Sequence, residues 1–344
     1  MKVGFFADSY FPRKDGQVYT VKTWKQKLEA RGHEVYVIYP GSTYSPEEGE
    51  IPLNSVSNPW YKHDIGLPAG VKNIPNLDVV HCHSPGPVGL LGKYFAWKKD
   101  LPTVYTFHTP LEDYAPQVLK FDRPTELIRR VYKYLDNKFL DTFDVVTSNT
   151  DEIPRDIDFV ELPVGIDMEF FEEKDSSFVE DMGVERPVAG YSGRLSEEKK
   201  IDKLIKFFDE IEGTLVIVGE GRDEERLKDL ASENVVFKDF LDREKLTEFY
   251  SGLDVFVTAS ESDTLSLTTL EASACGTPVL APDVHPFKST IGGNGERYAP
   301  EDARDFEQKF LKILDKDYQT REAVERFSMS QTIDELLEIY REVI

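Results

Sequence analysis

Short runs of β-branched and aromatic residues alternate with helical stretches along this chain, and the alternation runs through twice. The first series places strand-like runs at residues 3–7, 35–39, 79–82, 104–107 and 145–147. Between the first two, Val18, Val21, Trp24 and Leu28 recur at helical spacing up to Gly32, a helix stop. The rhythm breaks at 162–167, passes through an acidic stretch at 169–181, and restarts. The second series has strand runs at 188–191, 215–218, 235–237, 254–257 and 278–281, with helical windows at 201–210, 223–231, 243–251, 267–275 and 302–314. Strands joined through helices demand right-handed crossovers and a parallel sheet covered on both faces. The spacing therefore predicts an α/β chain of two domains. One covers residues 1–165 and the other 166–327, followed by a C-terminal segment at 328–344 in which Ile333, Leu336, Leu337, Tyr340 and Val343 keep helical spacing. Two such sheets are expected to bind ligand at their strand carboxyl ends, across a shared cleft.

Length and charge narrow the function classes. At 344 residues with 40% hydrophobic residues the chain can fill two cores, so disorder as its main character is excluded. No apolar run approaches the ~20 residues that cross a bilayer, and the first residues lack the pattern of a secretory signal; the expectation is a cytoplasmic protein. Cys82 and Cys275 are too few for a disulfide framework or a four-cysteine zinc site. The net charge of −23 argues against binding nucleic acid through its phosphates. That charge is unevenly spread: residues 1–160 hold 19 Lys and Arg against 21 Asp and Glu, whereas residues 161–344 hold 22 against 43.

Several strand ends carry groups suited to an anion. Gly16 stands where the first strand's loop meets a helix N-terminus, whose N–H groups and dipole favour phosphate; a tight turn with positive φ accounts for it equally well. Gly193, Arg194 and Leu195 follow a strand, with Lys199 five residues after the arginine: a planar fork and a compact point charge in an otherwise acidic half. Glu197, Glu198 and Lys200 also fit a merely solvated charge run. Further on, Asp263 and Glu271 are eight apart around a helix start expected near Leu265. The amides of Thr264, Leu265, Ser266 and Leu267 would be that helix's unpaired donors. A carboxylate inside the helix, two turns in by this reading, needs partners such as a ribose diol. Helix capping by Ser260 or Asp263, with Glu271 on the solvent face, is the simpler alternative. His108 closes the strand at 104–107, and His81 and His83 close another; His-x-His could hold a metal, but no third ligand is spaced for it.

Taken together and in order, these motifs resemble the retaining glycosyltransferases of family 4 over essentially the whole chain. The matching segments are Asp8 to Pro12 with Gly16, Asp78 to His83, Thr106 to Thr109, Pro163 to Asp167, Gly193 to Leu195 with Glu198 and Lys199, Val218 to Gly221, and Leu270 to Val279. The resemblance implies the GT-B fold, two Rossmann-like doubly wound parallel-sheet domains facing across a cleft, with the C-terminal helix 328–344 rejoining the first of them. It also implies transfer of a hexose from a UDP- or GDP-sugar to an acceptor hydroxyl, with no cofactor and no metal. Gly16 would contact the donor pyrophosphate, Arg194 and Lys199 would neutralise it, and Gly193 and Gly219 would line it. Glu271 would hold the ribose and His108 would lie near the transferred sugar.

The chain departs from the family pattern in two features. Asp263 stands where the family has the first glutamate of its paired-acid motif, one methylene shorter, and residues 264–267 replace the usual Gly-Phe-Gly-Leu. The stretches His108 to Tyr114 and Ser260 to Thr264 resemble the subgroup that glycosylates diacylglycerol, so a lipid acceptor is expected ahead of a soluble or protein-linked glycan. Basic residues at Lys93, Lys98, Lys99, Arg129, Arg130, Lys133 and Lys138 suit peripheral contact with the inner face of the cell membrane. A sugar-nucleotide epimerase and a non-catalytic nucleotide-sugar-binding subunit are the remaining alternatives.

Overall fold

The structure is a computed structural model, and it describes residues 1–13, 16–57, 64–66, 71–108, 126–261, 263 and 265–344. Contacts divide it into one unit of Met1–Val164 with Thr332–Ile344 and a second of Gly165–Gln331. The expected boundary near 165 thus falls one residue earlier, and the chain rejoins the first unit at Thr332 rather than 328.

The first unit's sheet consists of β1 (Lys2–Phe6), β2 (Glu34–Pro40), β3 (Glu50–Leu53), β6 (Val79–Cys82), β7 (Thr103–Phe107), β8 (Val145–Ser148) and β9 (Val160–Glu161). All are parallel, in the order β3-β2-β1-β6-β7-β8-β9. β4 (Ser55–Ser57) and β5 (Asp64–Gly66) form a separate antiparallel hairpin. Of the helices with seven or more residues, α1 (Gly16–Ala30), α2 (Pro87–Lys99) and α3 (Glu126–Leu140) connect the strands. β1, β6 and β7 are buried along almost their whole length, the signature of strands covered on both faces.

The second unit repeats the plan. Its sheet runs β12-β11-β10-β13-β14-β15, again all parallel. These strands are β10 (Val188–Ser192), β11 (Thr214–Val218), β12 (Val235–Lys238), β13 (Val255–Val257), β14 (Val279–Pro282) and β15 (Gly295–Tyr298). α4 (Ile201–Phe208), α5 (Glu224–Leu230), α6 (Arg243–Gly252), α7 (Leu267–Ala274) and α8 (Ala303–Leu314) pack around it. Ile201, Leu204, Ile205 and Phe208 of α4 meet Phe306 and Phe310 of α8 in the core. In each sheet the strand order reverses beside the first strand of its series, the point at which α/β sheets offer a ligand crevice.

The last helix, α9 (Met329–Val343), returns to the first unit. Its Tyr340 hydroxyl lies 2.6 Å from His81 Nδ1, and His81 Nε2 lies 2.7 Å from Thr106 Oγ1. Thr106 Oγ1 meets Thr147 Oγ1 at 2.8 Å, and Thr147 donates to the Tyr105 carbonyl. Because a carbonyl can only accept, the chain has one direction: Tyr340 donates to His81, His81 to Thr106, and Thr106 to Thr147. His81 therefore uses both ring nitrogens inside the fold, which removes it as a metal ligand. No helix among the described residues is long and apolar enough to cross a membrane.

Candidate functional site

At the carboxyl end of β10 the chain turns through Gly193, with φ +153°, and at the end of β11 through Gly219, with φ +139°. The two loops are laced together: Gly193 N–H donates to Val218 O at 3.0 Å and Leu195 N–H to Glu220 O at 2.9 Å. A Cβ on Gly219 would lie 2.0 Å from Gly193 O, and one on Gly221 would lie 2.0 Å from Leu195 O. These glycines are needed for the close approach of the two loops. The lacing buries Leu195 and leaves the Arg194 side chain exposed. Its backbone carbonyl is held by the Tyr191 hydroxyl at 3.3 Å, and its guanidinium has no ion-pair partner among the described residues.

Lys199 sits in a 3-10 turn, Glu197–Lys199, immediately before α4. Its ammonium pairs with Asp263, so the structure joins two residues that the sequence places 64 apart. Neither is in bulk solvent; their side chains are 23% and 14% exposed. Lys200 and Lys203 are satisfied in turn by Glu261.

α7 begins at Leu267, not near Leu265, after Ser266 in the left-handed region at φ +57°. The Thr269 amide and hydroxyl both donate to Ser266 O, while the Leu267 and Thr268 amides have no acceptor among the described residues. Leu265 is buried, an anchor rather than a surface group. Thr264, expected among the donors, lies outside the described residues. Because the helix starts later, Glu271 is one turn inside it rather than two.

Glu271 is not on a free solvent face, as a simple cap reading would have it. The Tyr250 hydroxyl donates to it at 3.4 Å and is itself 2.7 Å from Ser192 Oγ, at the end of β10. Burial pushes the Glu271 carboxyl up to about 7, against the pull of the Arg243 guanidinium. Arg243 opens α6 and lies over Phe170 and Phe171, 4.5 and 5.2 Å from the ring centroids. Tyr250, Ser192 and Arg243 were not singled out from the sequence. They lie in three different elements, and nothing short of the fold brings them to one carboxylate. Ser260 Oγ, just beyond β13, is fully buried with no partner among the described residues.

The first unit presents a different set at its strand ends. Gly16 is the first residue of α1, has no left-handed φ, and a Cβ there would meet nothing within 4 Å. The tight-turn explanation for Gly16 is therefore overturned; the protein's own geometry does not require a glycine. Asp8 accepts from the Val88 and Gly89 amides at 2.9 and 3.3 Å and so satisfies the first turn of α2. Its burial pushes the carboxyl up to about 6. His108 Nε2 meets His83 Nδ1 at 3.2 Å, and the His81 and His83 rings stack with centroids 4.3 Å apart. Burial holds both His81 and His83 well below the ordinary imidazole range. His83 Nε2 is buried with no partner among the described residues, and burial keeps this imidazole pair a neutral support for His108. The lipid-subgroup stretch from Thr109 to Tyr114 lies outside the described residues.

Among the basic residues expected to meet a membrane, Lys93 is a correction. Its ammonium turns inward to Thr103 Oγ1 at 2.9 Å and to the Thr142 carbonyl, 4.6 Å from the Phe143 ring centroid. Among the described residues no group of three or more His, Cys, Asp or Glu could hold a metal ion.

Comparison with known proteins bears on both units. The family described as Glycosyltransferase Family 4 matches residues 14–158, and that described as Glycosyl transferases group 1 matches residues 172–329. The alpha-monoglucosyldiacylglycerol synthase of Streptococcus pneumoniae is 29% identical over 320 residues, covering 82% of this chain and 71% of that protein. The enzyme of the same name from Acholeplasma laidlawii is 28% identical, covering 81% of this chain and 80% of its own length. Among solved structures, sucrose-phosphate synthase from Thermosynechococcus elongatus superposes with a TM-score of 0.75 at 18% identity, over 99% of this chain and 98% of that one. The last likeness is one of fold: two parallel-sheet, Rossmann-like domains of the GT-B type.

Proposed function

The chain belongs to the family 4 glycosyltransferases, and from that premise we propose that it moves a hexose from a UDP- or GDP-sugar to a lipid hydroxyl such as that of diacylglycerol, with retained anomeric configuration. The acceptor follows from the two diacylglycerol-glucosylating relatives. The observation that carries the donor side is Glu271: a carboxylate positioned by Tyr250 and Ser192, with acceptor capacity to spare for a pair of ribose hydroxyls. Arg194 follows the end of β10 by two residues, and Lys199 closes the 3-10 turn ahead of α4.

In the reaction the sugar C1 to phosphate-oxygen bond breaks as the C1 to acceptor-oxygen bond forms on the same face. The acceptor proton passes to an oxygen of the leaving diphosphate. Positive charge spreads over the sugar ring while negative charge gathers on the diphosphate. Arg194, Lys199 and the open Leu267 and Thr268 amides supply preorganised positive charge for that leaving group. Lys199 is held ready by Asp263 until the diphosphate competes for it. Charge neutralisation by these side chains is what leads us to propose a metal-independent enzyme. Gly16, at a helix N-terminus with room beside its Cα, lets backbone approach the pyrophosphate closely. His108, supported by His83, faces the transferred sugar.

The test is incubation with UDP-glucose, UDP-galactose and GDP-mannose together with diacylglycerol in mixed micelles, with and without a chelator. Product mass and the anomeric proton coupling are read out. A lipid gaining one hexosyl group in α linkage, unaffected by chelation, is the expected result. Conversion of donor to an epimer without acceptor would refute it.

A further inference from the structure

We propose that His83 is a positioning residue: its Nδ1–H donates to His108 Nε2 and fixes the proton of a neutral His108 on Nδ1. The transferred sugar is then met by an uncharged hydrogen-bond donor. This deepens the proposed function and rests on it for placing His108 beside the sugar; the direction of the bond stands on the first unit's own geometry. His81 accepts from Tyr340 at Nδ1 and donates to Thr106 from Nε2, so neither of its nitrogens is left for His83. Its ring covers that of His83 at a centroid distance of 4.3 Å. Phe5 of β1 and Trp24 of α1 stand steeply to His83, at 4.9 and 5.9 Å between centroids, and the Trp24 indole N–H is spent on the Val164 carbonyl.

Inside these walls His83 is 1% exposed, and burial keeps it neutral, with His81 and His108 the titratable groups that face it. A neutral imidazole has one N–H and one lone pair to place. His83 Nδ1 lies 3.2 Å from His108 Nε2, so one of these nitrogens holds the shared proton and the other accepts it. Were the proton on His108, that of His83 would sit on Nε2, a buried N–H with no acceptor among the described residues. With the proton on His83 Nδ1, the orphan is a lone pair instead. Buried N–H groups go unpaired more rarely than buried acceptors, which makes His83 the donor.

His108, half-buried at the end of β7, then accepts at Nε2 and keeps its own proton on Nδ1. Adding a second proton at Nε2 would set N–H against N–H, unless His83 moved its proton to the orphan position. The pair thus opposes an imidazolium at position 108. That suits the chemistry, because positive charge spreads over the sugar ring as the diphosphate leaves. A cation beside the ring would raise that barrier, whereas a fixed N–H dipole can hold a sugar hydroxyl without adding charge. The His-x-His of the sequence is accounted for in this way: His81 is locked into the fold, and His83 places a proton on its neighbour.

The experiment is long-range proton–nitrogen NMR correlation on the intact protein, without substrate and at neutral pH, with nitrogen-15 in the rings of its six histidines. Protonated and bare nitrogens of a neutral imidazole resonate far apart, and His83→Asn and His108→Asn assign the two rings. Both His83 and His108 should carry their proton on Nδ1. A proton on His108 Nε2, or an imidazolium at either ring, would overturn the proposal. Transfer at saturating donor reads the consequence. His83→Leu removes the donor, so kcat should fall about tenfold while donor KM changes less than about twofold. His83→Asn places an amide NH2 where Nδ1 stood and should hold kcat within about threefold of wild type. Equal losses in the two variants, or wild-type kcat in a folded His83→Leu, would also overturn the proposal; if His83→Leu fails to fold, the wild-type spectrum decides alone. The spectrum needs no turnover, so the expected tautomers in a protein that transfers no hexose would count against the enzymatic reading alone.

Discussion

Replacing Glu271 with glutamine tests the donor site through its titration. Burial raises this carboxyl to about 7, so in the empty protein it is close to half ionised at neutral pH. A ribose diol donates two hydroxyl protons, and only the ionised carboxylate accepts both without giving up a proton of its own. Binding therefore selects the ionised form. With a pKa near 7 the ionised fraction rises from about one-tenth at pH 6 to about nine-tenths at pH 8, so donor affinity should rise about tenfold across that range. The diphosphate of a sugar nucleotide is fully ionised throughout and adds no slope of its own. Glu271→Gln keeps an acceptor oxygen but loses the charge, which costs about 1–2 kcal/mol where the wild type is ionised and little at pH 6. Isothermal titration of UDP-glucose or GDP-mannose at pH 6, 7 and 8 measures both proteins. The slope should vanish in the variant. An equal slope in wild type and variant, or none in wild type, would refute the assignment of Glu271 to the nucleotide.

The glycines separate ligand contact from folding. Gly16→Ala adds a Cβ into open space, so its unfolding transition should stay within about 1 kcal/mol of wild type while donor affinity falls. Gly219→Ala drives a Cβ to 2.0 Å from Gly193 O at positive φ, and should destabilise by about 2–3 kcal/mol in a denaturant titration. Tyr340→Phe removes the hydroxyl that donates to the His81 Nδ1 lone pair, and the resulting buried orphan should cost about 1–3 kcal/mol in the same measurement.

Nearly every central strand was readable because parallel strands buried on both faces are continuous apolar runs, whereas their order in each sheet was not. Segments without that mark escaped. β3 carries Glu50 and Pro52, and β15 reads Gly-Glu-Arg-Tyr; both are edge strands whose sequence is set by their neighbours. The glycine loops after β10 and β11 were visible as motifs, but their reason was not. A Cβ on Gly219 would strike the Gly193 carbonyl and one on Gly221 the Leu195 carbonyl, across a loop pair that sequence distance conceals, whereas one on Gly193 would crowd the Tyr191 hydroxyl. In the same way the Lys199 and Asp263 pair, and the Ser192–Tyr250 support of Glu271, join residues tens of positions apart. The start of α7 was placed too early because Leu265 continues the apolar periodicity, whereas Ser266 takes a left-handed conformation that no helix can pass through.

That the departing diphosphate is neutralised by Arg194 and Lys199 is tested most directly by single-turnover transfer and donor binding in Arg194→Ala and Lys199→Ala. Losing either cation should cost about 2–5 kcal/mol, a fall of about thirtyfold or more in donor affinity or transfer rate, with unfolding unchanged in Arg194→Ala, whose side chain is exposed. Wild-type binding and turnover in both variants would contradict the account.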